Sequence, residues 1–175
     1  MNYYDTLTKA MDMLAADPRT LFIGQAVEYA GTGITNTLKN VPRERMAEMP
    51  VAEDMQMGMS IGMALAGRIP VTIYPRWNFL LLAANQLVNH LDRLPIYSNG
   101  GYNPHVIVRV AVPSVVPLHP QAQHDADFSD AFESMCQTVQ FHSLHDAGLI
   151  LPAYRQALQG GAHVLVEYVD CYDET

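Results

Sequence analysis

The sequence predicts an α/β domain of three layers, a mostly parallel sheet with helices on both faces. Three observations carry that expectation. Apolar runs of strand length alternate with segments whose apolar residues recur at helical spacing. The strand-like runs are continuous, as in Pro70-Val71-Thr72-Ile73-Tyr74 and Val106-Ile107-Val108-Arg109-Val110, which signals burial on both faces, as parallel sheets require. The chain of 175 residues is long enough for one domain with a full core and too short for two, so residues 1–175 are read as a single domain.

Asp5 to Ala16 carries Leu7, Ala10, Met11 and Leu14 on one helical stripe and stops at Asp17-Pro18. Thr20 to Ile23 is a buried strand, and Gly24 to Gly33, punctuated by Gly31 and Gly33, is an irregular loop. A helix beginning near Ala52 or Glu53 runs to Gly67 and precedes the strand Pro70 to Tyr74. Another helix is expected from about Asn78 to Leu91, then a long loop from Leu94 to Pro104 rich in Pro, Ser, Asn and Gly, then the strand Val106 to Val110. Three prolines make Pro113 to Gln123 extended. Asp127 to Met135 is a short helix, Thr138 to His142 a strand, Ala147 to Leu158 a helix ending at Gly160-Gly161, and Val164 to Tyr168 the last strand.

Apolar residues make up 49% of the chain and charged ones 16%, against about 25% charged in an ordinary soluble protein. Burial of surface in an oligomer accounts for the deficit. Ten basic against 18 acidic residues give a net charge of -8, and the basic residues are scattered, which argues against nucleic acid and anionic membranes as partners. The longest apolar run, Phe79 to Val88, is interrupted by Asn85 and Gln86 and is far short of the roughly 20 residues needed to span a bilayer. Met1-Asn2-Tyr3-Tyr4-Asp5 lacks the basic and apolar regions of a secretory signal. Cys136 and Cys171 lie far apart with no metal spacing, and read as reduced thiols of a cytoplasmic protein.

One segment concentrates chemistry. Pro50 cannot sit inside a helix, so the helix that follows starts with an acid, Glu53, at the positive end of its peptide dipoles. Gly58, Gly62 and Ala66 then recur every four residues. Each glycine costs about 1 kcal/mol relative to alanine in a helix interior, so such a stripe implies the close approach of another backbone, within the domain or from another subunit.

These residues, in order, resemble the pyrimidine-binding domain of thiamine-diphosphate enzymes, most of all the beta subunit of the decarboxylase component of 2-oxoacid dehydrogenase complexes. That family shows a Thr-Pro-Ile-Ser/Thr-Glu turn and a glycine-rich helix ending Ala-Gly-x-x-Pro. This chain has Met49-Pro50-Val51-Ala52-Glu53, then Gly58, Gly62, Ala66, Gly67 and Pro70. The family's aromatic-Asn-Phe-x-x-x-Ala-x-Asp-Gln-x-x-Asn is matched by Trp77-Asn78-Phe79, Ala83, Asn85, Gln86 and Asn89, and its Gln-His-Ser by Gln123-His124-Asp125. Three motifs in correct order are far more specific than any one.

The resemblance implies the thiamine-diphosphate-binding fold and a 2-oxoacid decarboxylase or dehydrogenase component. It makes Glu53 the acid that trades a proton with the pyrimidine ring nitrogen, Phe79 the aromatic packed on the pyrimidine face, and His124 a histidine near the reacting carbon. No Gly-Asp dipeptide occurs, so thiamine diphosphate and its Mg2+ would be anchored mainly by a separate diphosphate-binding, alpha-type subunit, and this chain supplies no metal ligand. The expected assembly is a heterotetramer of two alpha-type and two beta-type chains, or a homodimer of this chain. The family's beta subunit continues into a further domain, so this chain is expected to act as a stand-alone pyrimidine-binding subunit. The chain departs from the pattern at Gln25, Asn85 and Asp125, where the family has Glu, Asp and Ser. A transketolase-like or acyloin-forming carboligase subunit, or a non-catalytic structural or regulatory subunit of the same fold, are the alternatives.

Simpler readings stand beside these. Trp77 is an ordinary core aromatic, His142 and His145 have a loose metal-like spacing without a nearby cysteine, and Asp127 caps the helix that follows it.

Overall fold

The computed structural model describes residues 2–29, 31–114 and 121–173. Thirteen elements define the architecture. They are α1 (Tyr3–Ala15), β1 (Thr20–Gly24), α2 (Gly33–Asn36), β2 (Met46–Glu48), α3 (Glu53–Leu65), β3 (Ile69–Tyr74), α4 (Trp77–Leu80), α5 (Leu94–Tyr97), β4 (Val106–Val112), α6 (Ser129–Met135), β5 (Gln140–Leu144), α7 (Ala147–Ala157) and β6 (Ala162–Tyr168). The strands form a six-stranded, wholly parallel sheet in the order β2-β1-β3-β4-β6-β5.

Alternate residues of each central strand enter two separate cores. Ile107 and Ala111 of β4 and Leu165 of β6 face α1 and α7, joining Leu7, Met11, Leu14, Ile150 and Tyr154. Val106, Val108 and Val110 of β4 and Val164 and Val166 of β6 face the opposite layer, joining Met57, Trp77, Leu87, Leu91 and Phe132. This two-sided burial is why the strands read as unbroken apolar runs. Trp77 is fully buried with its ring centroid 5.1 Å from that of Phe132, a core residue as expected.

One polar cluster sits inside the first core. Arg109 of β4 and Glu167 of β6, diagonal neighbours in the sheet, are both fully buried, with Nε–Oε1 2.5 Å and Nη2–Oε2 2.9 Å. The hydroxyls of Tyr154 and Tyr172 donate to the two Glu167 oxygens at 2.7 and 2.6 Å. Burial alone would lower the Arg109 pKa, but the adjoining Glu167 charge, with Tyr154 and Tyr172, holds it above the ordinary guanidinium value.

Two sequence expectations are corrected, and two short elements, β2 and α2, stand where the sequence reading assigned none. Strand β2 was not anticipated: its three residues lie at the sheet edge, partly exposed, so no apolar run marks them. The helix expected from Asn78 to Leu91 is broken into α4, a 3-10 turn (Leu81–Ala83) and a π-helical turn (Gln86–Leu91), the last closed by Asp92 N–H donating to the Leu87 carbonyl at 2.9 Å. The loop expected from Leu94 opens as α5, with Pro95 in its first turn, where a missing N–H costs nothing. The irregular loop from Gly24 gives way at Gly33 to α2, capped by the Thr32 side chain on Thr35 N–H. Of the extended stretch Pro113 to Gln123, residues 115–120 lie outside the described residues.

Asp92 ties the π-helical turn to the entry of β5. Its carboxylate accepts from the N–H groups of Gln137, Thr138 and Val139 at 2.8, 2.7 and 3.0 Å. Burial opposes the charged form, yet these three donors and the Thr138 hydroxyl outweigh it and hold the carboxyl below its usual range.

Candidate functional site

All strands run the same way, so the loops after them gather at one edge. In an open parallel sheet, ligands bind outside the carboxyl ends where the strand order reverses. Here the chain passes from β1 outward to β2, then returns to place β3 on the other side of β1, so the reversal lies between β1 and β3. The residues leaving those strands build the site.

Gly24 ends β1 with φ +142°, and a Cβ there would lie 2.2 Å from the Ile73 carbonyl oxygen. Only glycine allows β1 to leave the sheet this close to β3. Ala26 follows with φ +58°, the left-handed region, which costs a non-glycine residue about 1 kcal/mol. That conformation turns three successive N–H groups, of Ala26, Val27 and Glu28, onto the Glu48 carboxylate at 2.9, 2.8 and 2.9 Å. Charge-assisted bonds to such a nest of backbone donors offset the local strain. Glu48 ends β2, the neighbour of β1, so strand pairing delivers the acid to the loop.

Glu53 opens α3, as expected, and is 3% exposed. Its Oε1 accepts from Gln25 Nε2 at 2.9 Å, and its main-chain oxygen accepts from the Tyr74 hydroxyl at 3.2 Å. Among the described residues no hydrogen bond reaches Oε2. Burial pushes the Tyr74 phenol up and the Glu53 charge adds to it, against a hydrogen bond with Thr72, so the phenol remains a donor.

Phe79 and His124 meet at the same edge. Their ring centroids lie 5.6 Å apart at 64°, an edge-on contact, and the Arg76 guanidinium carbon is 5.9 Å from the Phe79 centroid. Both rings are half-buried, and His124 Nδ1 is buried without a hydrogen-bond partner. The structure thus brings Phe79 and His124 together, and Glu53 together with Gln25. No hydrogen bond or ring contact among the described residues joins the two pairs. Asn85 stands exposed with its side chain accepting from Asn89 at 2.9 Å, and Asp125 is exposed.

Glu48 and Tyr74 were not singled out from the sequence. Nothing in periodicity marks Glu48, because β2 itself is invisible there, whereas Tyr74 could be read only as the last residue of a strand.

The small-residue stripe of α3 faces outward. Among the described residues no atom outside the helix's own backbone lies within 4 Å of a Cβ built at Gly58 or Gly62, so no packing among them calls for those glycines. Met55 and Met59, each 44% exposed, stand on the same helix, and Leu82, at 63%, is on the 3-10 turn beside it. A cavity of about 610 Å³ separates α3 from residues 86–97, with Gly58, Ile61, Leu65, Asn89, His90 and Tyr97 among its walls. On the far side of the sheet His142 and His145 do not act together. His142 Nε2 lies 3.0 Å from His163 Nδ1, and His145 stacks on Tyr168 with centroids 4.0 Å apart. Asp127, expected to cap α6, lies one residue before the Phe128 cap position and accepts from Ser129 N–H at 2.9 Å. Among the described residues no group of three or more His, Cys, Asp or Glu could hold a metal ion, and no helix is long and apolar enough to cross a membrane.

Comparison with known proteins adds sequence and fold likeness. No family model matches the chain. The chain is 29% identical over 140 residues to a pyruvate dehydrogenase E1 component subunit beta of Cyanidium caldarium, covering 77% of this chain and 42% of that one. It is 29% identical over 163 residues to the mitochondrial subunit of Drosophila melanogaster, covering 89% and 44%. With the chloroplastic subunit beta-4 of Oryza sativa subsp. japonica it shares 28% over 177 residues, covering 97% and 43%. The chain therefore spans less than half the length of these relatives. Among solved structures, one described as "Split gene transketolase, inactive beta4 tetramer" superposes with a TM-score of 0.71 at 18% identity, over 95% of this chain and 51% of that one. The chain has the fold of that transketolase-type structure and, along most of its length, resembles part of the pyruvate dehydrogenase E1 beta subunit.

Proposed function

We propose that this chain is the pyrimidine-binding, beta-type subunit of a heteromeric thiamine-diphosphate-dependent 2-oxoacid decarboxylase or dehydrogenase component. One observation carries the reading: a buried carboxylate at the carboxyl edge of a parallel sheet, with one oxygen held by an amide and no hydrogen bond from the described residues on the other. The residues present fit an aminopyrimidine. Glu53 Oε2 can share a proton with a ring nitrogen, the half-buried face of Phe79 can lie against a flat heterocycle, and the unpartnered His124 Nδ1 can exchange a proton or hold a carboxylate beside it. When bound, thiamine diphosphate supplies a nucleophilic carbon and an electron sink for 2-oxoacid decarboxylation. This chain's share is to hold the ring, to place Glu53 against it away from water, and to set His124 near the substrate.

By the resemblance, the diphosphate and its Mg2+ fall to a separate alpha-type subunit, because the Gly-Asp dipeptide that marks the diphosphate-binding half in the family does not occur in this sequence. The uncovered glycine face of α3, its exposed methionines and the adjoining cavity support an interface with another chain, either in a heterotetramer or between two copies of this one. Two cysteines far apart in sequence, with no paired or metal spacing, accord with a cytoplasmic, reducing location.

The test is reconstitution with a diphosphate-binding partner, following 2-oxoacid decarboxylation. Glu53→Gln is expected to lower turnover at least about 100-fold, because an amide cannot exchange the proton. Native turnover in that variant overturns the assignment, and a complex that binds the cofactor but turns over no 2-oxoacid points to the carboligase alternative.

A further inference from the structure

We infer that Gln25 is a positioning residue for Glu53: its amide commits Oε1 as an acceptor and leaves Oε2 as the oxygen offered to a ligand. The inference rests on the proposed role of Glu53. Gln25 Nε2 can only donate, and it stands 2.9 Å from Oε1. The carboxylate is therefore not free to rotate its two oxygens into equivalent roles.

The backbone at Gln25 is itself held from two sides. Gly24 brings its backbone against β3, where Gln25 N–H meets the Ile73 carbonyl at 3.4 Å. The next three N–H groups are locked on Glu48. The Gln25 side chain therefore leaves a backbone that has little freedom, and its reach to Glu53 is set by strand order, since β2 and β3 both flank β1. Glu48 itself is committed to backbone donors.

The residue type matters. A glutamate at position 25, as the resemblance leads one to expect, would put a second carboxylate at hydrogen-bond distance, and two like charges so close cannot both be ionised. The pair would hold one proton between them. With glutamine, proton exchange at this site belongs to Glu53 alone.

Two measurements test this. In the full 175-residue chain labelled with 15N, the side-chain amide of Gln25, assigned by its absence in Gln25→Met, is expected to exchange with solvent at least about 10-fold more slowly than that of exposed Gln123. Exchange as fast as Gln123 overturns the inference without requiring any cofactor or partner. In the reconstituted complex, Gln25→Met is expected to lower kcat about 10- to 100-fold with substrate KM nearly unchanged, the size of one charge-assisted hydrogen bond. Native kcat in Gln25→Met beside an inactive Glu53→Gln removes the positioning role and leaves the proposed function intact. Native kcat in Glu53→Gln removes the proposed function, while amide exchange still decides whether Gln25 holds that carboxylate.

Discussion

Replacing Glu167 by glutamine tests how the centre of the sheet is held. The native carboxylate receives four hydrogen bonds, two from Arg109 and one each from Tyr154 and Tyr172, with no solvent contact. Glutamine keeps the shape but removes the charge, leaving the Arg109 guanidinium ionised in an apolar layer, where its Nη1 is already without a partner. A surface ion pair is worth at most about 1 kcal/mol, but breaking a buried one by removing one partner costs about 3–5 kcal/mol. For a domain of this size each kcal/mol shifts the melting temperature by about 2–4 °C, so the expected fall is about 6–20 °C. Thermal unfolding followed by circular dichroism measures it. The double variant Arg109→Met/Glu167→Gln should recover a large part of the loss, because no unpaired charge remains. A fall of less than about 3 °C, or a double variant no better than the single, refutes the claim that charge compensation holds β4 to β6.

Other perturbations read different parts of the molecule. His105, His142 and His163 all have pKa values lowered, first by burial, with His142 lowered further by His163. The unfolded chain then binds more protons than the folded one, so stability is full above about pH 6.5 and declines as pH falls below it; chemical denaturation at pH 7.5 and 5.5 checks this, and His142→Gln should flatten the decline. Asp92→Ala should cost about 3 kcal/mol by orphaning the three N–H groups at the entry of β5, measured by urea unfolding, whereas Asp92→Asn, which keeps an acceptor, should cost less. Because Asp92 is held below its usual range, its contribution should persist at pH 5 and disappear only as pH falls through its folded pKa, below about 4. A Cβ at Gly58 meets no atom of the described residues outside its own helix backbone within 4 Å, so Gly58→Leu should leave the isolated chain's melting temperature unchanged or slightly raised, while blocking assembly in sedimentation or light scattering; unaltered assembly would show that α3 is not at the interface.

Features that depend on neighbours in the chain were legible before any coordinates. Four of the six strands, β1, β3, β4 and β6, announced themselves because burial on both faces forces an apolar run, while the partly exposed edge strand β5 lies two residues beyond the expected Thr138 to His142, and the start of α3 was set by Pro50 and the acid that follows. The motifs around Glu53, Phe79 and His124 were legible as sequence, but their gathering at one edge of the sheet follows from the parallel strand order. The π-helical turn was not legible, since its apolar residues also satisfy the ordinary helical period, and β2 left no mark because a short, partly exposed edge strand needs no pattern.

What the amino-acid order determined by itself was the layered parallel fold and the acid at the mouth of α3, since both follow from local steric and hydrophobic rules acting over a few residues. Only the tertiary structure decided that Gln25 donates to Glu53, that Glu48 locks the loop between them, and that the glycine stripe lies open instead of buried. Those outcomes depend on the strand order β2-β1-β3, which brings residues distant in sequence within hydrogen-bond reach, and no local pattern encodes a spatial order of strands.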